Sequence, residues 1–428
     1  MSRTIIRDCR VWDGSGNAAF PADVLVESGR IRAAVRTRGQ LDDAGAEVIE
    51  ARGMVLMPGL VEGHAHLSFG KATATTDLGD LPPEEHTLLT ARNAKILLDH
   101  GFTSAYSAAS AKLRLDIVIR NAIAAGQIPG PRLKACGPEI TVTGGLGDER
   151  RAHMYRESFA VIADGPAEIV KWARLCCREG ADAIKLNISG DDLYKAAKGE
   201  MTVMSEAEIR AGVEVAHDFG RKVNAHCRAA ESVKRALRCG VDVIYHCEYA
   251  DAEALDLLEG QKHRVFVGPA IGLPYAVRES IRALRADADP KMRELVERGF
   301  EAATRTYEQM RKRGIRVVIG GDYGFDVTPQ GTNARDIEHF VKLFGYSPGE
   351  ALVSATRTGA ELMGMADELG LVREGYLADL LLVDGDPLTD VSLLQRPERL
   401  VAIMKSGDFH KLDRDAIARR QVATAAAG

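Results

Sequence analysis

Residues 57–66, with the sequence MPGLVEGHAH, carry an apolar, strand-like run into two histidines one residue apart. Successive side chains of a β-strand alternate between its two faces, so His64 and His66 point the same way. Two neighbouring imidazoles at the end of a strand can hold a transition metal. By itself the pair is weak evidence, because structural histidines are common. The stretch therefore predicts a strand that ends in part of a metal site, whose other ligands must come from the rest of the chain.

Around this stretch, short apolar runs alternate with runs of helical periodicity over residues 55–363. Eight strands alternating with helices are typical of a (β/α)8 TIM barrel, an α/β fold of about 250 residues or somewhat more. A doubly wound open sheet is the competing fold, but no G-x-G-x-x-G motif follows a predicted strand. The predicted strands are 55–61, 103–107, 132–136, 183–187, 222–225, 241–245, 264–267 and 316–319. The predicted helices are 87–100, 115–125, 166–179, 205–219, 229–239, 252–261, 290–312 and 347–363.

The two ends of the chain predict one small β-domain. Residues 4–53 contain short strand-like runs separated by turns, and such a set buries little apolar surface alone. Two further strand-like runs, 378–383 and 400–404, lie near the other end. We predict a composite β-sandwich domain of residues 1–54 and 364–412, a barrel domain of residues 55–363, and a C-terminal tail of residues 413–428.

Composition and charge exclude several classes of function. The chain has 428 residues and a formal net charge of −5, so it offers no basic surface for nucleic acid. No apolar run approaches the ~20 residues that span a bilayer, and residues 1–8 contain no apolar signal-peptide core. Seven cysteines without a C-x-x-C pair fit buried free thiols in a reducing compartment. We predict a cytoplasmic protein that binds neither nucleic acid nor a membrane.

Chemically competent side chains fall where the predicted strands end, which is where barrel enzymes place their working residues. Histidines end the first, fifth and sixth strands, a lysine lies near the end of the fourth, and an aspartate follows the eighth. Four imidazoles and one carboxylate can supply terminal ligands for two divalent ions that activate a water and polarise a carbonyl. The six residues are His64, His66, Lys185, His226, His246 and Asp322.

Lys185 can complete such a site only after a chemical change. A protonated lysine has no acceptor atom for a metal, and a bridging anion is missing from the set. A buried lysine loses its proton readily, and its neutral amine can add carbon dioxide to become a carbamate, N6-carboxylysine. A Schiff-base or ion-paired lysine is the alternative, although a Schiff base needs no four-histidine cluster.

With these residues identified, the chain resembles the amidohydrolase superfamily of metal-dependent hydrolases over nearly its whole length. The resemblance rests on the six positions above and on residues 58–66 (PGLVEGHAH), 355–364 (ATRTGAELMG) and 375–387 (GYLADLLLVDGDP). Glu62 departs from the family pattern, in which many members have aspartate there. Within the superfamily the chain is similar to the Xaa-Pro dipeptidase and imidazolonepropionase-like branch, and more narrowly to bacterial ochratoxin A-hydrolysing amidohydrolases.

The resemblance implies two divalent metal ions, usually zinc, bridged by carboxylated Lys185. Asp322 would also act as a catalytic residue that takes a proton from the bridging water and passes it to the leaving nitrogen. The terminal ligands divide between the more buried metal, held by His64, His66 and Asp322, and the other metal, held by His226 and His246.

Four further residues are candidates for substrate binding. His153 lies in the segment after the third strand, from which related enzymes supply a histidine that polarises the substrate carbonyl, so it is also a catalytic candidate. Arg228 lies two residues beyond His226, and its guanidinium suits a substrate carboxylate, with a surface salt bridge as the alternative. Tyr194 and Tyr275, in the connections after the fourth and seventh strands, are candidates for lining the pocket.

The resemblance implies hydrolysis of the amide bond between an acyl group and a C-terminal amino acid, in the manner of a carboxypeptidase or dipeptidase. The narrower resemblance implies detoxification of ochratoxin A to ochratoxin α and L-phenylalanine. The alternatives are hydrolysis of a cyclic amide or lactone, deamination, which typically uses one metal without a bridge, and a non-catalytic scaffold, which usually lacks ligands. Relatives in this branch are homo-oligomers, often octamers, and the substrate is a small amide or N-acyl amino acid.

Overall fold

The computed structural model describes residues 3–154, 157–192, 194, 196–284 and 289–426, without the side chains of residues 423–426. Over these ranges the chain forms three sheets. One sheet joins the two ends of the chain, and two parallel sheets alternate with helices between those ends. The mixed α/β content that the sequence predicts is confirmed.

The terminal sheet takes strands from both ends of the chain. Its members are β1 (Arg3–Val11), β2 (Phe20–Glu27), β3 (Arg30–Val35), β4 (Glu47–Glu50), β5 (Val55–Pro58), β15 (Leu380–Val383), β16 (Leu400–Lys405) and β17 (Asp408–Leu412). The order is β17-β16-β15-β5-β1-β2-β3, with β4 beside β1, so the pairing forms one mixed sheet where the sequence predicts a sandwich. β5 is the link between the two ends, because it pairs parallel with β1 and antiparallel with β15. This sheet therefore extends beyond the predicted boundary at residue 54.

Two parallel sheets lie between β5 and β15. Their strands are β6 (Leu60–Ala65), β7 (Phe102–Ser107), β8 (Arg132–Lys134), β9 (Cys136–Thr141), β10 (Val161–Ile162), β11 (Ala183–Asn187), β12 (Lys222–Ala229), β13 (Val243–Tyr249) and β14 (Phe266–Gly268). The first sheet has the order β6-β7-β8, and the second has the order β10-β9-β11-β12-β13-β14. β6, β7, β9 and β11 are buried at every position, as expected for parallel strands covered on both faces.

Backbone hydrogen bonds around residues 316–319 connect the two parallel sheets. The Val318 N–H donates to the Val267 carbonyl in β14 (2.9 Å), and the Gly63 N–H in β6 donates to the Ile319 carbonyl (3.0 Å). The sequence predicts a strand at 316–319, but the structure has only an isolated bridge there, between Val267 and Val317. The assigned pairing therefore gives two parallel sheets, not one closed sheet of eight strands.

Helices follow most of the parallel strands. They are α1 (Pro83–Asp99), α2 (Leu115–Ala124), α3 (Pro166–Glu179), α4 (Glu206–Asp218), α5 (Ala230–Cys239), α6 (Ala252–Gly260), α7 (Gly272–Ala283), α8 (Pro290–Lys312), α9 (Arg335–Phe344), α10 (Pro348–Ala355), α11 (Arg357–Leu362) and α12 (Arg414–Ala426). The predicted helix 347–363 divides at Thr356, whose φ and ψ of −129° and −82° are not helical. In the part of the chain that the structure describes, no helix has both the length and the apolar composition needed to cross a membrane.

The predicted C-terminal tail is mostly the helix α12, which packs against the terminal sheet. Ile417 is buried in the apolar core of that sheet. The Gln421 side chain donates to the Glu50 carbonyl (2.7 Å), and Arg420 donates to the Gly53 carbonyl (3.1 Å). These contacts connect the last helix to the end of β4 and to the turn that follows it.

All seven cysteines are buried and free, as the sequence predicts. Burial raises the pKa of the Cys9, Cys176 and Cys227 thiols to about 12. These thiols are therefore protonated at neutral pH, and the thiolate that reacts with oxidants and alkylating agents is scarce.

Candidate metal centre

The six predicted ligands surround one cavity of about 450 Å³ at the carboxyl ends of the parallel strands. His64 lies in β6, Lys185 in β11 and His246 in β13. This placement follows from the parallel arrangement, which brings the ends of strands distant in sequence to one rim. All six line the cavity: His64, His66, Lys185, His226, His246 and Asp322.

The side chains of this set lie close enough to share metal ions. The ligand atoms of His64, His246 and Asp322 all lie within 4.8 Å of one another. The His66 Nε2 atom is 3.2 Å from the Asp322 Oδ1 atom, and the ring centroids of His226 and His246 are 4.2 Å apart. The set therefore has nitrogen and oxygen donors grouped around one space.

Backbone carbonyls orient two of the imidazoles. The His66 Nδ1 atom is 3.1 Å from the Ala109 carbonyl, and the His226 Nε2 atom is 3.0 Å from the Gly190 carbonyl. A carbonyl can only accept, so each of these nitrogens carries the proton. The opposite nitrogen of each ring keeps its lone pair, which is the arrangement that a metal-ligating histidine needs.

Three other imidazole nitrogens of the predicted ligands are buried without a hydrogen-bond partner among the described residues. They are both ring nitrogens of His64 and the Nδ1 atom of His246. A ring nitrogen without a hydrogen-bond partner can offer its lone pair to an ion, and these three atoms belong to residues that line one cavity. Divalent zinc takes imidazole and carboxylate ligands, and the donor set fits such an ion.

The backbone is strained at two of these positions. His246 has a φ of 78° and Asp322 a φ of 62°, in the left-handed region that non-glycine residues seldom adopt. Such residues persist where the surrounding contacts hold them, and they cluster at functional sites. His246 lies within β13 and Asp322 lies three residues beyond residues 316–319, and both residues line the cavity.

Burial sets the protonation of the site. It lowers the pKa of His64, His226 and His246 well below the ordinary value of 6.5, and positive neighbours such as Lys185 lower it further. Burial alone would raise the pKa of Asp322, but its contact with the His66 Nε2 atom and the positive charge of Lys185 hold it below its ordinary value of 3.8. These three imidazoles are therefore neutral and the Asp322 carboxylate is ionised at neutral pH, as metal ligands must be.

Lys185 is buried next to the ring of Tyr245. Only 1% of its surface is exposed, and the Nζ atom lies 4.9 Å from the centroid of that ring. The Tyr245 ring also stacks on His64 at 3.8 Å, and its hydroxyl donates to the Gly63 carbonyl (2.7 Å). Tyr245 thus fixes both Lys185 and β6 from beneath the cavity.

The predicted substrate-binding residues occupy different places. Tyr194 lines the cavity and its hydroxyl donates to the Asp148 carbonyl. Tyr275 lies in α7 and packs on His339 at 4.4 Å, outside the residues that line the cavity. His153 is exposed and is also outside that lining.

Arg228 is buried in an ion-pair cluster beside the cavity. Its Nε and Nη2 atoms each lie 2.8 Å from the Asp191 Oδ2 atom, and its Nη1 atom pairs with Glu248. Asp191 lines the cavity, whereas Arg228 does not. In this arrangement Asp191 already accepts from the Nε and Nη2 atoms, the pair that a substrate carboxylate would bind.

Glu139 and an aromatic wall were not identified from the sequence. Glu139 is buried in β9, lines the cavity, and pairs with Lys185 across the β9–β11 ladder. The aromatic wall consists of Phe69, Phe159 and Phe325, and Phe69 stacks on His66 at 4.1 Å. The strand-end rule that identified Lys185 could have found Glu139. The wall comes from three separate connections, and no sequence signal joins them.

Comparison with known proteins places the chain in a family. A model of the amidohydrolase family matches residues 55–409. The chain is similar to ochratoxinase from Aspergillus niger, with 27% identity over 379 residues that cover 83% of this chain and 76% of that protein. It is also similar to imidazolonepropionase from Rubrobacter xylanophilus, with 23% identity over 435 residues that cover 92% of each chain.

A solved structure shares this fold. It is the crystal structure of a Xaa-Pro dipeptidase with bound methionine in its active site, which matches with a TM-score of 0.86 and 27% identity. The match covers 96% of this chain and 100% of that one. The resemblance inferred from the strand-end residues is confirmed, and we conclude that this chain is a hydrolase that belongs to the amidohydrolase family.

Proposed function

We propose that this protein is a binuclear zinc amidohydrolase that cleaves the amide bond between an acyl group and a C-terminal amino acid. The observation that carries the proposal is the convergence of six potential ligands on one cavity, with buried imidazole nitrogens that have no partner among the described protein atoms. Other divalent metals with the same ligand preferences are compatible with the donor set. Metal analysis that finds no bound ion would favour a non-catalytic scaffold instead.

We propose that the two parallel sheets belong to one (β/α)8 barrel, closed by residues 316–319. Two features support closure: the hydrogen bond from Val318 to Val267 on one side and the one from Gly63 to Ile319 on the other. A closed barrel also accounts for Asp322 lying 3.2 Å from His66 although 256 positions separate them in the sequence (322 − 66).

The ligands would divide into two groups. His64, His66 and Asp322 would hold one metal, and His226 and His246 the other. Lys185 as N6-carboxylysine would bridge them, since a carbamate is a carboxylate on a longer stem. When bound, the two zinc ions act as Lewis acids and lower the pKa of water toward neutrality.

Asp322 would move the proton in this reaction. Its pKa lies below the ordinary value of 3.8, so the carboxylate is ionised and can accept a proton from the attacking water. Protonated Asp322 then donates to the departing amine nitrogen. His153, Tyr194, Tyr275 and Arg228 stay proposed as substrate-binding residues, and among the four only Tyr194 lines the cavity.

We propose an aromatic N-acyl amino acid as the substrate class, with ochratoxin A, which would yield ochratoxin α and L-phenylalanine, as one member. The similarity to an ochratoxinase and to a Xaa-Pro dipeptidase supports a C-terminal amino acid as the leaving group. The aromatic wall supports a planar group, because ring–ring contacts add about 0.5–1.5 kcal/mol beyond area burial. A free carboxylate on the substrate would have to replace Asp191 on Arg228.

The test is a hydrolysis screen of the zinc-loaded enzyme over N-acyl amino acids, dipeptides and their C-terminal amides. We expect turnover of N-acyl-phenylalanine and of ochratoxin A. Arg228→Ala should raise KM for free acids but not for amides. Equal effects on both would exclude Arg228 as the carboxylate partner, and no turnover of any acyclic amide would reject the proposed function.

A second candidate is hydrolysis of a cyclic amide or lactone. The similarity to imidazolonepropionase over 92% of both chains favours it. Adding imidazolone propionate and a small lactone to the same screen separates the two activities. The predicted cytoplasmic homo-oligomer, up to an octamer, stays a prediction that light scattering of the purified protein and fractionation of the source cells would test.

A further inference from the structure

The segment that follows Asp322 in the sequence returns to support the metal centre from behind. We call residues 330–339 the backing segment; it contains the first turns of α9. The Gln330 side chain donates to the His66 carbonyl (3.0 Å) and to the Tyr323 carbonyl (3.1 Å). The Gln330 side chain thus connects the backbone of the predicted ligand His66 to the backbone next to the predicted ligand Asp322.

Asn333 supports a third ligand through Glu62. Its amide donates to the Glu62 Oε2 atom (2.9 Å), and the Glu62 Oε1 atom accepts the His64 N–H (3.0 Å). Both residues are almost fully buried, with exposures of 2% for Asn333 and 1% for Glu62. The backing segment therefore reaches the backbone of His64 as well as that of His66.

Asp336 holds the chain on both sides of Asp322. Its Oδ2 atom accepts the Gly320 N–H (3.1 Å), and its Oδ1 atom accepts the Tyr323 hydroxyl (2.9 Å). Asp336 has no exposed surface, and it approaches the backbone so closely that a Cβ on Gly321 would lie 2.7 Å from its Oδ1 atom. Between these two anchors stands Asp322 in its left-handed conformation.

We propose that Asp336 is a positioning residue, which fixes the strained backbone at Asp322 so that the carboxylate meets both its metal and the leaving nitrogen. The role rests on the proposed function of Asp322. A non-glycine residue in the left-handed region is strained and persists only where surrounding contacts impose that conformation. The two hydrogen bonds to Asp336 are such contacts, and α9 supplies a rigid support for them.

Two variants test this role in the zinc-loaded enzyme. Asp336→Asn keeps the shape but turns one acceptor into a donor, which either opposes the Gly320 N–H or reverses the hydrogen bond with the Tyr323 hydroxyl. Tyr323→Phe removes one donor and leaves Asp336 in place, so it stays informative if the first variant folds poorly. The matched control is Lys342→Ala, which removes an exposed partner of Glu338 on the same helix.

We expect Asp336→Asn to lower kcat by about 10–100-fold, with KM changed by less than about 3-fold, because partners of ligands typically carry effects of that size. Zinc retained after dialysis against a metal buffer should fall in parallel, which gives a readout independent of turnover. Tyr323→Phe should show a smaller loss of the same kind, and the control should match the wild type. If both variants keep wild-type kcat and zinc retention per folded molecule, the inference is overturned. If the wild type itself hydrolyses no amide, the proposed function fails instead.

Discussion

The side chain of Lys185 is the least ordinary of the buried groups. It is 1% exposed and faces the ring of Tyr245, and no ion pair joins its ammonium to a carboxylate of the described residues. An unpaired buried ammonium is costly, and conversion to a carbamate bound by metals removes that cost. The chemical state of Lys185 therefore distinguishes a bridged two-metal site from an unbridged one.

Lys185→Ala should abolish catalysis and remove about half of the bound zinc. Without the bridge the site loses an anionic ligand for each metal, so we expect kcat to fall by at least about 1,000-fold. Elemental analysis and initial rates are the measurements. Propionate added to the variant should restore part of the activity, because it can place a carboxylate where the carbamate stood.

Lys222→Ala is the matched control for that experiment. Lys222 begins β12, at the end of the strand away from the cavity, and donates to the Leu362 carbonyl (2.7 Å). The control should keep its zinc and its kcat. Full turnover and full zinc content in Lys185→Ala would refute the carbamate bridge.

The buried imidazoles should stay neutral in mildly acidic solution. The pKa values of His64, His226 and His246 lie well below 6.5 in the folded protein. Between those values and 6.5, the unfolded chain binds protons that the folded chain does not. Each histidine therefore lowers the stability of the metal-free protein as pH falls below 6.5, by up to about 1.4 kcal/mol per pH unit.

Nitrogen-15 NMR of the metal-free protein at about pH 6 measures this directly, since neutral and charged imidazoles differ in shift. Three buried imidazoles that remain neutral would agree with the prediction. Titration of all histidines near 6.5 would contradict it.

At the scale of elements, α11 presses against the strand that carries His64. A Cβ on Gly359 in α11 would lie 2.5 Å from the Cβ atom of Val61 in β6, so the two backbones approach as closely as glycine permits. Any added side-chain atom must push the helix or the strand. The position of β6, and with it the metal centre, depends on this contact.

Gly359→Ala should destabilise the fold by about 1–3 kcal/mol and weaken zinc binding, because it overpacks this contact. Gly260→Ala is the control, since no atom lies within 4 Å of a Cβ there and the residue ends α6. That substitution should be neutral or slightly stabilising. The measurement is the midpoint of urea unfolding for both variants. Equal midpoints would show that the α11–β6 contact is not tight.

The elements that a single sequence predicts are those with local signals. β11 and α3 coincide with their predicted ranges. An apolar run marks β11, and Pro166 and Gly180 mark the start and the end of α3. α7 lies in the connection between the predicted strand 264–267 and the predicted helix 290–312, where the sequence analysis predicts no helix. Residues 316–319 make too few backbone hydrogen bonds to form a strand. Such pairing depends on residues far away in the sequence, which a local pattern does not reveal.

The candidate site divides in the same way. His64, His66, Lys185, His226, His246 and Asp322 follow from strand ends alone. Arg228 has the residue type that suits a carboxylate, but Asp191 and Glu248 already pair with it. These two acidic partners lie elsewhere in the sequence, and a sequence pattern does not show that they pair with Arg228.

At the scale of the whole molecule, β5 joins the terminal sheet to the parallel sheets. It pairs with β1 and β15, and after Gly59 the chain continues directly into β6. The buried core of the terminal sheet contains residues from both ends, such as Val24 and Leu382. Neither end can therefore fold as it does without the other.

Removal of residues 364–428 should prevent folding, because it strips β15 from β5 and exposes the core of the terminal sheet. Removal of residues 413–428 alone should leave a folded, active enzyme with a lower Tm, since among the described side chains of α12 Ile417 lies in that core and Ala416 packs against it. Circular dichroism melts of both truncations are the measurement. A folded protein without residues 364–428 would show that the parallel part is autonomous.

The burial of all seven cysteines has a practical consequence for chemical coupling. A cysteine introduced on the surface would be the single fast-reacting thiol of a folded chain, because the native thiols are shielded and protonated. Phe219 is a suitable position, as it is 52% exposed and caps the end of α4. That helix end points away from the cavity, so a dye or a solid support attached there would leave the path to the cavity open.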